Sequence, residues 1–227
     1  IDIKVMAIAN IDGMIMDANG LDLTDWRNDV AEKGKLTNLD EIIDYVREAK
    51  PLNPVFVDCT ASYDLPERYL DILEAGMHIA TPNKRANSMS MDFYHELRKT
   101  ANRMHRRFLY ETNVGAGLPI IDTLQNLFKS GDKLTGFYGI MSGSLSYIFG
   151  RLDEGVSFSR AVIEAREKRY TEPDPRDDLA GLDVARKALI IAREAGISLE
   201  LEDITMHNVF PEGFDSTGTI EEFLNKL

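Results

Sequence analysis

The densest chemistry in this chain lies between Tyr170 and Lys187. Pro173 and Pro175 stiffen a loop that displays Glu172, Asp174, Arg176 and Asp177, and Asp178 stands where it can cap the helix that follows. Asp183 and Lys187 are four residues apart and share one helix face. Leu182, Ala185, Leu189 and Ile190 are apolar and would seat that helix in a core. A partly buried lysine beside an aspartate can serve as general acid and base for a carbonyl–alcohol couple. The same spacing fits a surface ion pair at least as well.

Two further segments carry unusual residues at strand ends, where open α/β sheets place their ligands. Thr81-Pro82-Asn83-Lys84 follows a short apolar run, and its lysine could hold a carboxylate or protonate a carbonyl oxygen. Glu111 to Pro119 (ETNVGAGLP) begins at another strand end. Its glycines permit a tight path with carbonyls turned inward, so it could hold a hard cation or simply cross between domains. Cys59 and Thr60 follow a third strand; a lone cysteine there reads as packing or as a nucleophile. The four histidines have no metal-ligand spacing.

These segments need elements to position them. Ile3–Ala9 reads as a buried strand. Leu39–Ala49 reads as a helix capped by Thr37 or Asn38, and Pro54–Asp58 as a strand. Asp64 is the expected cap of a helix ending before Gly76, His78–Ala80 a strand, Ser90 to His105 a helix, and Arg107–Glu111 a strand. This β-α rhythm implies a parallel, doubly wound sheet over residues 1–116. Residues 117–227 read as a second, α+β domain. Its expected elements are helices at Pro119–Phe128, Leu145–Leu152, Ser159–Lys168 and Asp178–Ala195, strands at Leu134–Met141 and Thr205–Phe210, and a short terminal helix.

Bulk composition removes some functions. The net charge of −12 argues against nucleic-acid binding. One cysteine excludes an internal disulfide and a cysteine-rich metal site. No apolar run approaches the length of a membrane span, and a cytoplasmic enzyme is expected. No G-x-G-x-x-G follows the first strand; Gly115-Ala116-Gly117 lacks the third glycine. The expectation is a partial Rossmann-type fold that starts at its second strand, without the first strand and glycine-rich loop.

Four stretches together resemble homoserine dehydrogenase: YTEPDPRDDLAGLDVARK (Tyr170–Lys187), TPNK (Thr81–Lys84), ETNVGAGLP (Glu111–Pro119) and GIMSGSLSYIFGRLDEG (Gly139–Gly155). They are most similar to the dehydrogenase half of bifunctional aspartokinase–homoserine dehydrogenases. The resemblance implies NAD(P)-dependent interconversion of L-homoserine and L-aspartate 4-semialdehyde, a step of threonine and methionine biosynthesis. It implies Lys187 as general acid/base, Asp183 as its partner and Lys84 as a second active-site lysine. It places Glu172, Asp178 and Tyr170 on the substrate. It places Thr60 and Lys84, with Asn10 at the first strand end, on NAD or NADP. It gives Glu111 and the backbone of Val114, Ala116 and Leu118 a sodium ion.

Asp12, with no basic residue nearby, favours NAD over NADP. The apolar Leu134–Met141 run and the helix after Ser144 resemble a homodimer contact, and residues 117–227 become the substrate-binding and dimerisation domain. Against the family pattern the chain is expected to lack pieces at both ends, and an aspartokinase domain is expected in the parent protein. Two other readings remain: an acylating semialdehyde dehydrogenase using Cys59, and an inactive dimerisation module.

Overall fold

The computed structural model describes residues 3–207, 209–210 and 213–227. They fall into two units: one of residues 1–57, 67–80 and 98–108, the other of residues 58–66, 81–97 and 109–227.

The first unit opens on a hairpin. Strand β1 (Ala7–Ala9) pairs antiparallel with β2 (Met14–Met16), Ala7 opposite Met16 and Ala9 opposite Met14. The sequence predicts instead a buried strand from Ile3; Ile3 is 81% exposed. The reason is local. The Asn10 side-chain oxygen accepts the N–H groups of Asp12 at 2.8 Å and Gly13 at 3.1 Å. That turn returns the chain to Met14-Ile15-Met16, an apolar triad with no counterpart among the expected elements.

Helix α1 (Trp26–Lys33) was also not legible beforehand; α2 (Leu39–Ala49) was. Asn38 caps α2 by accepting from the N–H groups of Asp40 and Glu41, and Ile42 and Ile43 are buried. Strands β3 (Val55–Val57) and β4 (His78–Ala80) pair in parallel, joined through a 3-10 turn and α3 (Tyr69–Glu74). The N–H groups of Asp64 and Leu65 bond to the Ser62 hydroxyl, so Ser62 does the work expected of Asp64. Tyr69, Ile72, Leu73 and Ile79 are fully buried, and burial of such side chains contributes about 1.5–3 kcal/mol each.

Short helix α4 (Arg85–Ser88) belongs to the second unit, and α5 (Met91–Arg103) runs from the second unit into the first. Strand β5 (Phe108–Leu109) completes a three-stranded sheet in the order β3-β4-β5. A parallel β-α-β sheet is therefore present, with the hairpin as a separate sheet.

The rest of the second unit is helical: α6 (Ile120–Lys129), α7 (Gly143–Asp153), α8 (Phe158–Glu167), α9 (Pro175–Leu179), α10 (Leu182–Glu194) and α11 (Ile220–Lys226). Ile148, Ala161, Val162, Ala165, Leu179 and Phe223 form one buried cluster. A second set, Ala185, Leu189, Ile190 and Ile191, buries one side of α10.

Three expectations change here. Leu134–Met141 is not a strand, and Phe137, Tyr138 and Ile140 are exposed. A strand needs a neighbour to bond its backbone, and none lies beside this run among the described residues. Thr205–His207 and Val209–Phe210 are irregular for the same reason, and Asn208 lies outside the described residues. The helix expected over Asp178–Ala195 is two helices, broken at Gly181, whose φ of +74° is left-handed. No helix among the described residues is long and apolar enough to cross a membrane.

Candidate active site

Asp183 and Lys187 lie one turn apart on α10 and line a cavity, the Asp183 side chain still 44% exposed. The Lys187 ammonium is 2.6 Å from Asp183 Oδ2, with its side chain only 15% exposed. It also donates to the main-chain oxygen of Met141 at 2.6 Å. Lys84 Nζ lies 3.3 Å from the other oxygen, Asp183 Oδ1. One carboxylate thus holds two ammonium groups that stand 103 positions apart in sequence (84 to 187). Burial pushes the Asp183 carboxyl up, but the Lys187 hydrogen bond and the charges of Lys84 and Lys187 together hold it below its ordinary value.

A buried polar scaffold puts Lys84 where it is. The Thr81 hydroxyl donates to the Asp58 main-chain oxygen and accepts the N–H of Asn83. Asn83 reaches Asp58 Oδ2 and the Ser62 carbonyl through its amide nitrogen. Asn87 donates to Asn113, which donates to the Thr81 carbonyl at 3.0 Å. The segments after β3, β4 and β5 are so tied together by the Thr81 hydroxyl, the Asp58 carboxylate and three side-chain amides. Each such buried bond contributes only about 1 kcal/mol net, but a partner left unpaired costs about 1–3 kcal/mol.

Arg193 does the same for α10. Its side chain is fully buried, donates to the carbonyls of Asn87, Met89 and Leu199, and pairs with Glu200 at 2.9 Å. Glu200 in turn accepts the N–H of Met91.

The loop from Tyr170 to Asp178 folds differently from its sequence reading. Asp174, not Asp178, caps the short helix α9, accepting from Arg176 N–H, and Pro175 takes the first helical position. Asp174 and Arg176 also pair through their side chains, and Arg176 donates to the carbonyls of Ser216 and Gly218. These two residues build the loop; they are not displayed. Asp178 sits inside α9, where Oδ1 accepts from Ser144 at 2.6 Å and Oδ2 from the Glu172 N–H at 2.8 Å. Ser144 continues to Ser142 at 2.8 Å. The Glu172 carboxylate has no protein partner among the described residues.

A cavity of about 1080 Å³ gathers most of the candidate residues. Lys84, Asp183, Lys187, Glu172, Asp178, Tyr170 and Thr60 all line it. Ser142, Ser144, Arg85 and Arg186 line it too, and sequence reasoning gave them no role. The serines lay inside the recognised Gly139–Gly155 stretch; the arginines adjoin the two lysines.

Asn10 lies in the first unit, its side chain closing the hairpin turn. Glu111, Val114, Ala116 and Leu118 do not line the cavity. Both Glu111 oxygens accept N–H groups at the start of α6, from Ile121 and Asp122, each at 2.9 Å. Cys59 is exposed on the cavity, but no histidine lines it, so the pair an acylating enzyme needs is absent there. Among the described residues no three His, Cys, Asp or Glu side chains stand close enough to hold a metal.

Parallel strands followed directly by cavity-lining segments are the arrangement of open α/β sheets, which take ligands beyond their strand ends. Residues 1–111 match the model of the homoserine dehydrogenase NAD binding domain, and residues 119–221 match the homoserine dehydrogenase model. The chain belongs to the homoserine dehydrogenase family. It is 50% identical, over its whole length, to a Haemophilus influenzae bifunctional aspartokinase/homoserine dehydrogenase, of which it spans 28%. It is 39% identical over 99% of its length to a Schizosaccharomyces pombe homoserine dehydrogenase, of which it spans 61%. A crystal structure of a Candida auris protein of unknown function matches 98% of this chain with a TM-score of 0.87 and 35% identity, 64% of that protein being covered.

Proposed function

We propose that this chain carries the substrate-handling machinery of an NAD- or NADP-dependent homoserine dehydrogenase, interconverting L-homoserine and L-aspartate 4-semialdehyde. The observation that carries the reading is the Lys84–Asp183–Lys187 cluster in a cavity bordered by the free Glu172 carboxylate. A dinucleotide bound beside these residues would supply the hydride chemistry of the aldehyde–alcohol couple.

The protein's task is to hold the substrate and manage one proton. An ammonium has three donors, and in Lys187 two are committed, to Asp183 and to Met141. The third is left for the reacting oxygen. As the ammonium, Lys187 protonates that oxygen on reduction; as the neutral amine, it takes the hydroxyl proton on oxidation. Asp183 orients Lys187 and Lys84. Glu172 receives the substrate ammonium, with Asp178 fixing the Glu172 backbone and Tyr170 bordering the substrate. Thr60, Lys84 and Asn10 are assigned to the dinucleotide. The residues after β3 and β4 fit such a group because they open into the cavity at the ends of parallel strands.

A sodium ion is assigned to Glu111 with the carbonyls of Val114, Ala116 and Leu118. That donor set is the chemistry of a hard cation, and Glu111 would join through lone pairs not used by α6. We assign residues 1–116 to dinucleotide binding and 117–227 to substrate binding and dimerisation. The exposed Leu134–Met141 run supports a homodimer, and the Haemophilus relative supports a parent protein fused to aspartokinase. A cytoplasmic location fits this role.

Homoserine-dependent reduction of NAD or NADP by the chain is the test. Binding of both ligands with turnover upholds the reading; a dimer that binds neither would make it an inactive dimerisation module.

A further inference from the structure

Two arginines adjoin the two lysines of the site: Arg85 follows Lys84, and Arg186 precedes Lys187. Both line the same cavity. Both are half-buried, whereas Arg169, which also lines it, is exposed to solvent. Asp183, the carboxylate on α10 nearest in sequence, is already divided between Lys84 and Lys187. Neither Arg85 nor Arg186 donates a hydrogen bond or forms an ion pair through its guanidinium among the described residues. The Arg85 guanidinium carbon lies over the Tyr63 ring, a contact that uses none of its N–H donors.

The two cations also disfavour each other. Burial, and then the charge of Arg186, lower the Arg85 pKa; burial lowers that of Arg186 against the pull of Asp183. Half-buried charges without partners are costly, and an arriving anion offsets both the desolvation and the repulsion by pairing with them. Planar forked donors match carboxylate and phosphate oxygens two at a time.

We propose that Arg85 and Arg186 form an oxyanion subsite in this cavity. It rests on the dehydrogenase reading for its two natural sources of oxyanion, the carboxylate of the amino-acid substrate and a phosphate of the dinucleotide. The subsite holds one end of a bound molecule while Lys84, Asp183 and Lys187 serve the reacting oxygen.

The test is calorimetric titration of the full chain, as wild type, Arg85→Gln, Arg186→Gln and Arg186→Lys. The probes are inorganic phosphate, L-homoserine, L-homoserinamide and NADPH. Phosphate is expected to bind the wild type and to bind each Gln variant about tenfold more weakly, with Arg186→Lys between them. A tenfold loss for L-homoserine but not for its amide assigns the carboxylate; a tenfold loss for NADPH assigns the phosphate. Unchanged affinities in folded Gln variants, judged by circular dichroism, overturn the subsite and leave the dehydrogenase reading intact. Phosphate binding that needs both arginines, with no wild-type binding of homoserine or NADPH, keeps the subsite and overturns that reading. If a Gln variant does not fold, Arg186→Lys carries the test, because it keeps the charge and removes the fork. Full affinity for every probe in that variant then overturns the proposal.

Discussion

The stretches Tyr170–Lys187 and Leu134–Met141 meet at one hydrogen bond, from the Lys187 ammonium to the Met141 carbonyl, and otherwise have opposite characters. In the first, Asp174 pairs with Arg176, Asp178 with Ser144 and the Glu172 backbone, and Asp183 with two lysines, while the Glu172 carboxylate and the Arg186 guanidinium stay open to the cavity. In the second, Tyr138 is 98% exposed and Ile140 80% exposed, and the backbone pairs with no strand among the described residues. The first region is knitted and presents a few free ends; the second presents apolar surface. A knitted region can aim a proton, while an unpartnered apolar run suits a surface that another chain covers.

The sharpest way to break this contrast is Lys187→Ala. If the lysine acts on the reacting oxygen as proposed, turnover falls about a thousandfold while dinucleotide affinity stays within about twofold. Steady-state kinetics beside cofactor titration decide it; parallel losses would mean that the knitting serves binding only. Arg193→Met comes next. It strips Glu200 and the carbonyls of Asn87, Met89 and Leu199 of a buried donor. Urea unfolding should show a loss of about 3 kcal/mol or more. A loss under 1 kcal/mol would say that α10 is held by apolar packing alone. The smallest effect on stability belongs to the other region. Tyr138→Ser with Ile140→Ser should change unfolding by no more than about 0.5 kcal/mol. Sedimentation should nevertheless show the dimer lost. A wild-type monomer at micromolar concentration would remove the role given to this surface.

The same contrast explains what could be read in advance. Helix α2 was legible because its signals are local: an Asn38 cap, then Ile42 and Ile43 at helical spacing. Strands β3 and β4 were legible as short apolar runs beside a helix of the right length. Leu134–Met141 misled because strand pattern is local while strand formation is not. The Ile3–Ala9 reading missed the turn in which Asn10 folds onto Asp12 and Gly13. In the site, the Asp183–Lys187 pair was visible as an i,i+4 spacing, but its burial was not. Lys84 meets Asp183 only through tertiary folding, and the scaffold of Asp58, Asn83, Asn87, Asn113 and Arg193 leaves no periodic trace. The resemblance picked out the right segments without the contacts that connect them.

Gly181 has a consequence for how this site tolerates change in length. It separates α9, whose Asp178 fixes the Glu172 loop, from α10, which carries Asp183 and Lys187. Each residue added to a helix turns its side chains by roughly 100° about the axis. Leu189, Ile190, Ile191 and Arg193 anchor the far part of α10, and only Ala180 and Gly181 separate it from α9, so one residue inserted or deleted between Leu179 and Asp183 must be taken up across those two positions. Either the anchor holds and the Glu172 loop is dragged out of place, or the loop holds and Asp183 rotates off the two lysines. The interval from Asp178 to Asp183 acts as a phase setting between two gears, and substitutions within it should be far better tolerated than any change in its count.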